Sequence, residues 1–237
     1  MSDTLLLLPG LLCDATVWAP QVEGLRDVCD VRAFPNFYGY DSLDAMARGV
    51  LDTAPDRFHV CGHSMGGRVA FEIYRLAPER IQSLMLFDTS TNAAQPGEHE
   101  SRGELVELGY KEGMAAVAAK WLPPMVHPKR LADKAFMDAL TAMVCRATPE
   151  IFAKQQHALL TRSDVGPMLS QITCPTLVGC GADDAWSPLS VHEQIAAAIP
   201  GARLVSIPES GHMVSVEAPE AFNAVLRDWM DEQRARA

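Results

Sequence analysis

The sequence predicts an α/β fold: a mostly parallel sheet with helices on both faces. Short apolar runs of strand length alternate along the chain with longer segments of helical periodicity. The first run, Thr4 to Leu8, is apolar without alternation after its threonine, which is the pattern of a strand covered on both faces. With 48% hydrophobic and 21% charged residues over 237 positions, the chain is long and apolar enough to close a core without disulfide or metal support.

The elements follow in order. The first strand stops at Pro9-Gly10. Residues 28–33 form a second strand, closed by Pro35 and followed by a loop containing Gly39. Ser42 caps a helix reaching about residue 54, with Leu43, Met46, Ala47, Val50 and Leu51 on one face. A third strand is expected at 57–61, a helix at 65–76 and a fourth strand at 81–87. From 89 to about 167 the pattern is helical throughout, broken by Pro96-Gly97, Pro123-Pro124, Pro128 and Pro149. An all-helical stretch inserted in a strand-helix alternation is expected to cap one end of the sheet. The domain organisation is therefore a core of 1–88 and 168–237 carrying a helical cap at 89–167. The alternation resumes with a strand at 175–180, a helix at 190–199, a strand at 203–207 and a closing helix at 217–232.

Charge and cysteine usage narrow the function classes. Acidic residues number 30 against 20 basic ones, a formal charge of −10 that disfavours nucleic acid and anionic membrane as partners and leaves a small molecule. No run approaches the roughly twenty apolar residues of a membrane helix. The apolar start carries Asp3, has no Lys or Arg before it and breaks at Pro9-Gly10, so it reads as an unexported, cytoplasmic N-terminus. Cys13, Cys29, Cys61, Cys145, Cys174 and Cys180 include no Cys-x-x-Cys pair and are expected as free thiols. His59 and His63 stand four apart but flank a strand-to-turn segment, not a helix, so no metal is expected.

The chemistry concentrates at three turns. Gly62-His63-Ser64-Met65-Gly66-Gly67 lies directly after an apolar strand and before a helix. A serine at such a tight turn sits in a strained conformation beside glycines that avoid a clash, a nucleophile's setting; the simpler alternative is a helix N-cap serine. A hydroxyl attacks only with a base, so a histidine held by a carboxylate is required. His212 follows the last strand within Gly211-His212-Met213, at the same sheet edge as Ser64. His99, His127 and His157 fall in the cap, and His192 reads as solvated helix surface. The carboxylate should follow another parallel strand: Asp184 is favoured over Asp183, with Asp88 after the fourth strand as the alternative.

The order Ser64, Asp184, His212, the Gly-His-Ser-Met-Gly-Gly turn, the Gly-x-x-Asp-x-x-x-Pro pattern of Gly181, Asp184 and Pro188, and Gly211-His212 together resemble the α/β-hydrolase fold family. The similarity covers nearly the whole chain and points to the group of serine esterases, enol-lactonases, carbon–carbon bond hydrolases and menaquinone-pathway lyases. It implies oxyanion donors at the backbone N–H groups of Met65 and Leu11, no cofactor, and Pro9-Gly10 where the family usually has His-Gly. The three residues before Thr4 leave no room for the family's frequent N-terminal hairpin, so six strands are expected. Trp121, Leu122, Met125, Met143, Phe152 and Met168 are candidate linings of an apolar acyl pocket, with Trp186 at its entrance. Arg68 follows Gly66-Gly67 as in the menaquinone-pathway lyases, whose site handles a carboxylated substrate; otherwise it pairs with Glu72 at helical spacing on the surface. The expected function is a cofactor-free serine hydrolase acting on an ester, thioester or lactone of a small, largely apolar acyl group. The alternatives are a lyase or carbon–carbon hydrolase using the same triad, and a receptor without turnover. Haloalkane dehalogenase and epoxide hydrolase chemistry is disfavoured, because those relatives have aspartate at the position of Ser64.

Overall fold

The computed structural model describes residues 3–236. Six strands form one sheet: β1 (Thr4–Leu8), β2 (Asp30–Ala33), β3 (Phe58–His63), β4 (Ile81–Phe87), β5 (Thr176–Gly181) and β6 (Arg203–Ile207). The spatial order is β2-β1-β3-β4-β5-β6 and every pairing is parallel. All five residues of β1 and all six of β3 and β5 are buried, as expected of strands with helices on both sides.

The chain steps outward from β1 to β2 and then returns to place β3 on the other side of β1. This reversal opens a crevice between the C-terminal ends of β1 and β3, the place where open α/β sheets bind ligands. The loop carrying Leu11 leaves one strand there, and the turn carrying Ser64 leaves the other.

Helices α1 (Ala19–Gly24), α2 (Leu43–Leu51) and α3 (Met65–Leu76) connect the first four strands. Between β4 and β5 come α4 (Glu98–Glu112), α5 (Met114–Trp121), α6 (Lys134–Val144) and α7 (Pro149–Leu160), with short 3-10 turns between and after them. α8 (Leu189–Ala198), α9 (Val214–Glu217) and α10 (Pro219–Arg236) complete the order. α2 packs against α3, and α1 against α10. Phe222 of α10 is fully buried in the core, its ring 4.6 Å from that of Phe87 and 6.0 Å from that of Trp18.

One segment gains structure and two local expectations change. The segment after β1 forms a 3-10 turn, Ala15–Trp18, running into α1; Asp14 caps it by accepting from the Thr16 N–H at 2.9 Å, and Pro20 stands in the first turn of α1, where a missing N–H costs nothing. β2 begins at Asp30, two residues later than the apolar run suggests. The closing helix is two helices, because Pro219 cannot continue α9 and starts α10 instead. All six cysteines are free thiols. No described helix is long and apolar enough to cross a membrane.

Candidate active site

β3 ends at His63 and α3 begins at Met65, so Ser64 alone makes the turn between them. Its backbone is forced to φ 54° and ψ −116°, a conformation that costs a non-glycine residue on the order of 1–3 kcal/mol. The glycines around it are required by contact: a Cβ on Gly66 would fall on the carbonyl oxygen of Leu8, and one on Gly62 on that of Gly66. The Ser64 N–H donates to the Phe87 carbonyl at 2.9 Å, and the Thr89 hydroxyl donates to the Ser64 carbonyl at 2.8 Å. The strained turn is thereby tied to the end of β4.

A continuous hydrogen-bonded chain leads away from it. Ser64 Oγ lies 2.9 Å from His212 Nε2, and His212 Nδ1 lies 2.8 Å from Asp184 Oδ2. Because a carboxylate only accepts, His212 carries its proton on Nδ1 and presents Nε2 to the hydroxyl. Asp184 Oδ1 accepts from the N–H groups of Trp186 at 2.8 Å and Ser187 at 3.0 Å. Burial pushes the Asp184 carboxyl up, but the adjacent imidazole and the two N–H donors outweigh it and hold the group down at about 2.

The other two acids lie elsewhere. Asp183 is half exposed and lies 3.6 Å from His127 Nε2. Asp88 is fully buried; its Oδ1 accepts from the Gly181 N–H at 2.9 Å, and its nearest histidine is His63, 3.8 Å away. Burial, and then the charge of Asp184, raise the Asp88 carboxyl well above its ordinary range. Burial and partners thus shift the two neighbouring carboxyls in opposite directions.

The structure adds partners that the sequence did not single out. His63 donates from Nε2 to the His212 carbonyl at 2.6 Å, and burial lowers its pKa to about 4, so it stays neutral. Glu217 accepts from the N–H groups of Gly211 and Met213, each at 3.0 Å, and from that of His127 at 2.6 Å. The His212 N–H donates to Met125 of the inserted segment at 2.7 Å. Only the Gly-His spacing hinted at this loop; its clamps come from both sides of the insert. His192, expected on the surface, is fully buried: its Nε2 accepts from the Thr89 N–H at 3.1 Å, because α8 packs that face onto β5 and β6. His59 and His63 are committed to different partners, Ser83 and the His212 carbonyl. Among the described residues, no group of three or more His, Cys, Asp or Glu side chains is arranged to hold a metal.

Ser64 and His212 open into a cavity of about 320 Å³, bordered by Leu11, Met65, Trp121, Met125 and Trp186. The N–H of Met65 is at the first turn of α3, where helical N–H groups have no internal partner. Across the crevice, Leu12 sits at φ 57° and its N–H donates to Gln155 Oε1 of α7 at 2.9 Å, which fixes the loop presenting Leu11. Trp186 is 45% exposed, with its ring 6.3 Å from that of His212. Leu122, Met143 and Phe152 do not reach the cavity: they face the core and are buried there, while Met168 packs at its margin elsewhere.

Arg68 corrects the surface pairing. It is 5% exposed and borders the cavity, one turn along α3 from Ser64. Its Nη2 donates to Ser90 Oγ at 2.8 Å, whereas Glu72 pairs with Arg75 at 2.7 Å. The turn of α3 that looks into the crevice carries Arg68 inward, and Glu72 one turn later meets Arg75 and solvent.

The sequence profile of the alpha/beta hydrolase family matches residues 5–225. The chain belongs to the alpha/beta hydrolase family. It is an enzyme of that family, and its relatives are hydrolases and esterases. The RutD protein of Caulobacter sp. (strain K31), named a carbamate hydrolase, is 27% identical over 98% of this chain and 92% of its own length. The pimeloyl-[acyl-carrier protein] methyl ester esterase of Nitrosomonas europaea is 32% identical over 77% of this chain and 75% of its own. Among solved structures, a thermophilic esterase from Thermogutta terrifontis, with malate bound, superposes with a TM-score of 0.88 at 28% identity, covering 98% of this chain and 91% of that one. This alpha/beta hydrolase has the six-stranded parallel sheet expected of it.

Proposed function

We propose that the chain is a serine hydrolase that cleaves a carboxylic ester, thioester or lactone through an acyl-enzyme on Ser64. The observation that carries this reading is the chain Asp184–His212–Ser64, with spacings of 2.8 and 2.9 Å, opening into the cavity. His212 Nε2 takes the hydroxyl proton as Ser64 Oγ attacks the substrate carbonyl. Asp184 keeps the imidazole in the right tautomer and stabilises its charged form. The oxyanion that develops is met by the N–H groups of Met65 and Leu11, each such donor contributing about 3–4 kcal/mol at the transition state. His212 returns its proton to the leaving oxygen or sulfur. Water, deprotonated by the same nitrogen, then releases the acid and restores Ser64.

The relatives support carbonyl hydrolysis of this kind, one being named for a carbamate and one for a methyl ester. The test is a neutral fluorophosphonate probe combined with a panel of p-nitrophenyl esters of rising acyl length. Wild type should be labelled once, at Ser64, and should turn over the shorter esters; Ser64→Ala should do neither. Labelling that persists in Ser64→Ala would assign the nucleophile elsewhere.

A further inference from the structure

Ser64 and His212 divide the cavity by chemistry. In a tetrahedral intermediate on Ser64, one substituent faces the oxyanion donors, and the departing one must reach His212 Nε2, the atom that returns the proton. Whatever borders the cavity beside His212 therefore meets the leaving alcohol or thiol, not the acyl group that stays on the serine.

Trp186 is placed for that contact and left uncovered. Its N–H donates to Asp184 Oδ1 at 2.8 Å, so its backbone is fixed to the same carboxylate that holds His212. Asp184 and Ser187 on either side of it are buried, whereas the indole borders the cavity and takes no part in the hydrophobic core. Trp18, Trp121 and Trp229 are all buried, so among the tryptophans this one alone offers its ring to water. Aromatic surface left in water forfeits the stabilisation that burial gives, and a ligand that covers it restores that stabilisation. The ring lies 6.3 Å from that of His212 at an interplanar angle of 42°. A group held against the indole thus lies beside the imidazole that must protonate it.

We infer that Trp186 is the platform for the leaving group, and that the substrate is the ester or thioester of an aromatic alcohol or thiol whose ring stacks on the indole while Ser64 attacks the carbonyl. The inference rests on the hydrolase reading above and adds the departing half of the substrate to it. As the bond from Ser64 Oγ to the acyl carbon forms, the bond from that carbon to the leaving oxygen or sulfur breaks. The proton that His212 took from Ser64 passes to the departing atom, and the aromatic alcohol or thiol leaves past Trp186 before water enters. Met125, whose carbonyl accepts the His212 N–H at 2.7 Å, borders the same cavity with a thioether of the kind that packs well against aromatic rings. Because the acyl-enzyme no longer contains the leaving group, Trp186 acts on acylation alone.

The experiment compares the benzyl and methyl esters of one acid, the best accepted in the panel of acyl lengths above. The two alcohols are of nearly equal acidity, so a difference in rate reports binding and not leaving ability. Wild type is set beside Trp186→Ala and Trp186→Phe. Wild type should prefer the benzyl ester by about ten- to a hundred-fold in kcat/KM, the range expected from covering an aromatic side chain. Trp186→Ala should remove most of that preference and Trp186→Phe only part of it. The preference among acyl lengths, measured on methyl esters, should be the same in all three proteins. A second readout needs no turnover: benzyl alcohol should shield the fluorescence of Trp186 from acrylamide, in wild type and in Ser64→Ala alike. No benzyl preference in wild type, one unchanged in Trp186→Ala, a variant that flattens the acyl preference equally, or quenching indifferent to benzyl alcohol overturns the proposal. Labelling of Ser64 separates the two failures: a labelled protein without the benzyl preference refutes only the leaving-group platform, whereas an unlabelled Ser64 refutes the hydrolase reading.

Discussion

The strand ends and the inserted helices build the same cavity in different ways. At the strand ends, each reactive side chain is placed by its own short segment: Ser64 by a single-residue turn, Asp184 by two N–H donors two and three residues on, His212 by the carboxylate of Glu217 five residues later. In the insert, several residues at or behind the cavity are held by partners distant in sequence. Gln155 meets Leu12, Arg162 meets Glu98, and Met125 meets His212. Reactivity is thus written locally and the insert's share of the cavity is written across the fold, so substitutions in the two regions should fail differently.

The largest effect expected is at the strand ends. Asp184→Asn keeps the volume but offers an amide that favours the wrong imidazole tautomer, so kcat should fall by about four orders of magnitude while far-UV circular dichroism is unchanged. Asp183→Asn should be close to wild type. Asp88→Asn should cost only a few-fold, because an amide oxygen can still accept from the Gly181 N–H and burial already disfavours a charge on the side chain there. A larger loss at Asp88 than at Asp184 would reverse their roles.

The strand ends were legible for the same local reason. Glycines next to a serine between an apolar run and a helical period betray the turn, and a parallel sheet delivers residues after different strands to one edge. The order of Ser64, Asp184 and His212 then reads directly from the chain. Arg68 was legible as a position but not as an environment, because spacing along α3 fits both a partner at Glu72 and a cavity, and only the packing of α4 and α7 decides. Gln155, Glu98 and Arg162 gave no sign at all: a polar residue on a helix of an insert reads as solvated face until its long-range partner is known. His192 was misread by that logic in the core itself, where α8 hides it.

A second prediction concerns what the core tolerates in return for this order. His59 and His63 are buried, which lowers both pKa values to about 4. The unfolded chain takes up protons at these imidazoles as pH falls through about 6.5, and the folded chain does so only near 4. Stability contributed by each is therefore full above pH 6.5, declines between 6.5 and 4, and levels off below. His59 is the cleaner probe, since its partner Ser83 also receives the Trp229 indole N–H, far from Ser64. In urea titrations, wild type should lose about 3 kcal/mol relative to His59→Asn between pH 6.5 and 4. A pH-independent difference would mean that the ring is charged or hydrated in the fold.

The sharpest division between the two regions is expected at Gln155. Its Oε1 is the acceptor for the Leu12 N–H in a loop held at φ 57°, and that loop carries Leu11, which borders the cavity. Gln155→Met keeps most of the volume but leaves the Leu12 N–H without a partner, at a cost of about 1–3 kcal/mol in stability. If the insert did no more than cover the sheet, the loss would appear in Tm alone, and the folded enzyme would turn over as before. On the proposed role of Leu11 as an oxyanion donor, displacing its N–H weakens stabilisation of the oxyanion but not binding of the neutral carbonyl, so kcat should instead fall by about ten-fold with KM little changed. Gln155→Glu separates the two contributions further: it retains an acceptor for Leu12 in a buried site, so it should lose more stability than the methionine variant while keeping more of kcat. A variant series in which kcat tracked Tm would make the insert a cover, and one in which they parted would make α7 a positioning element for the oxyanion site.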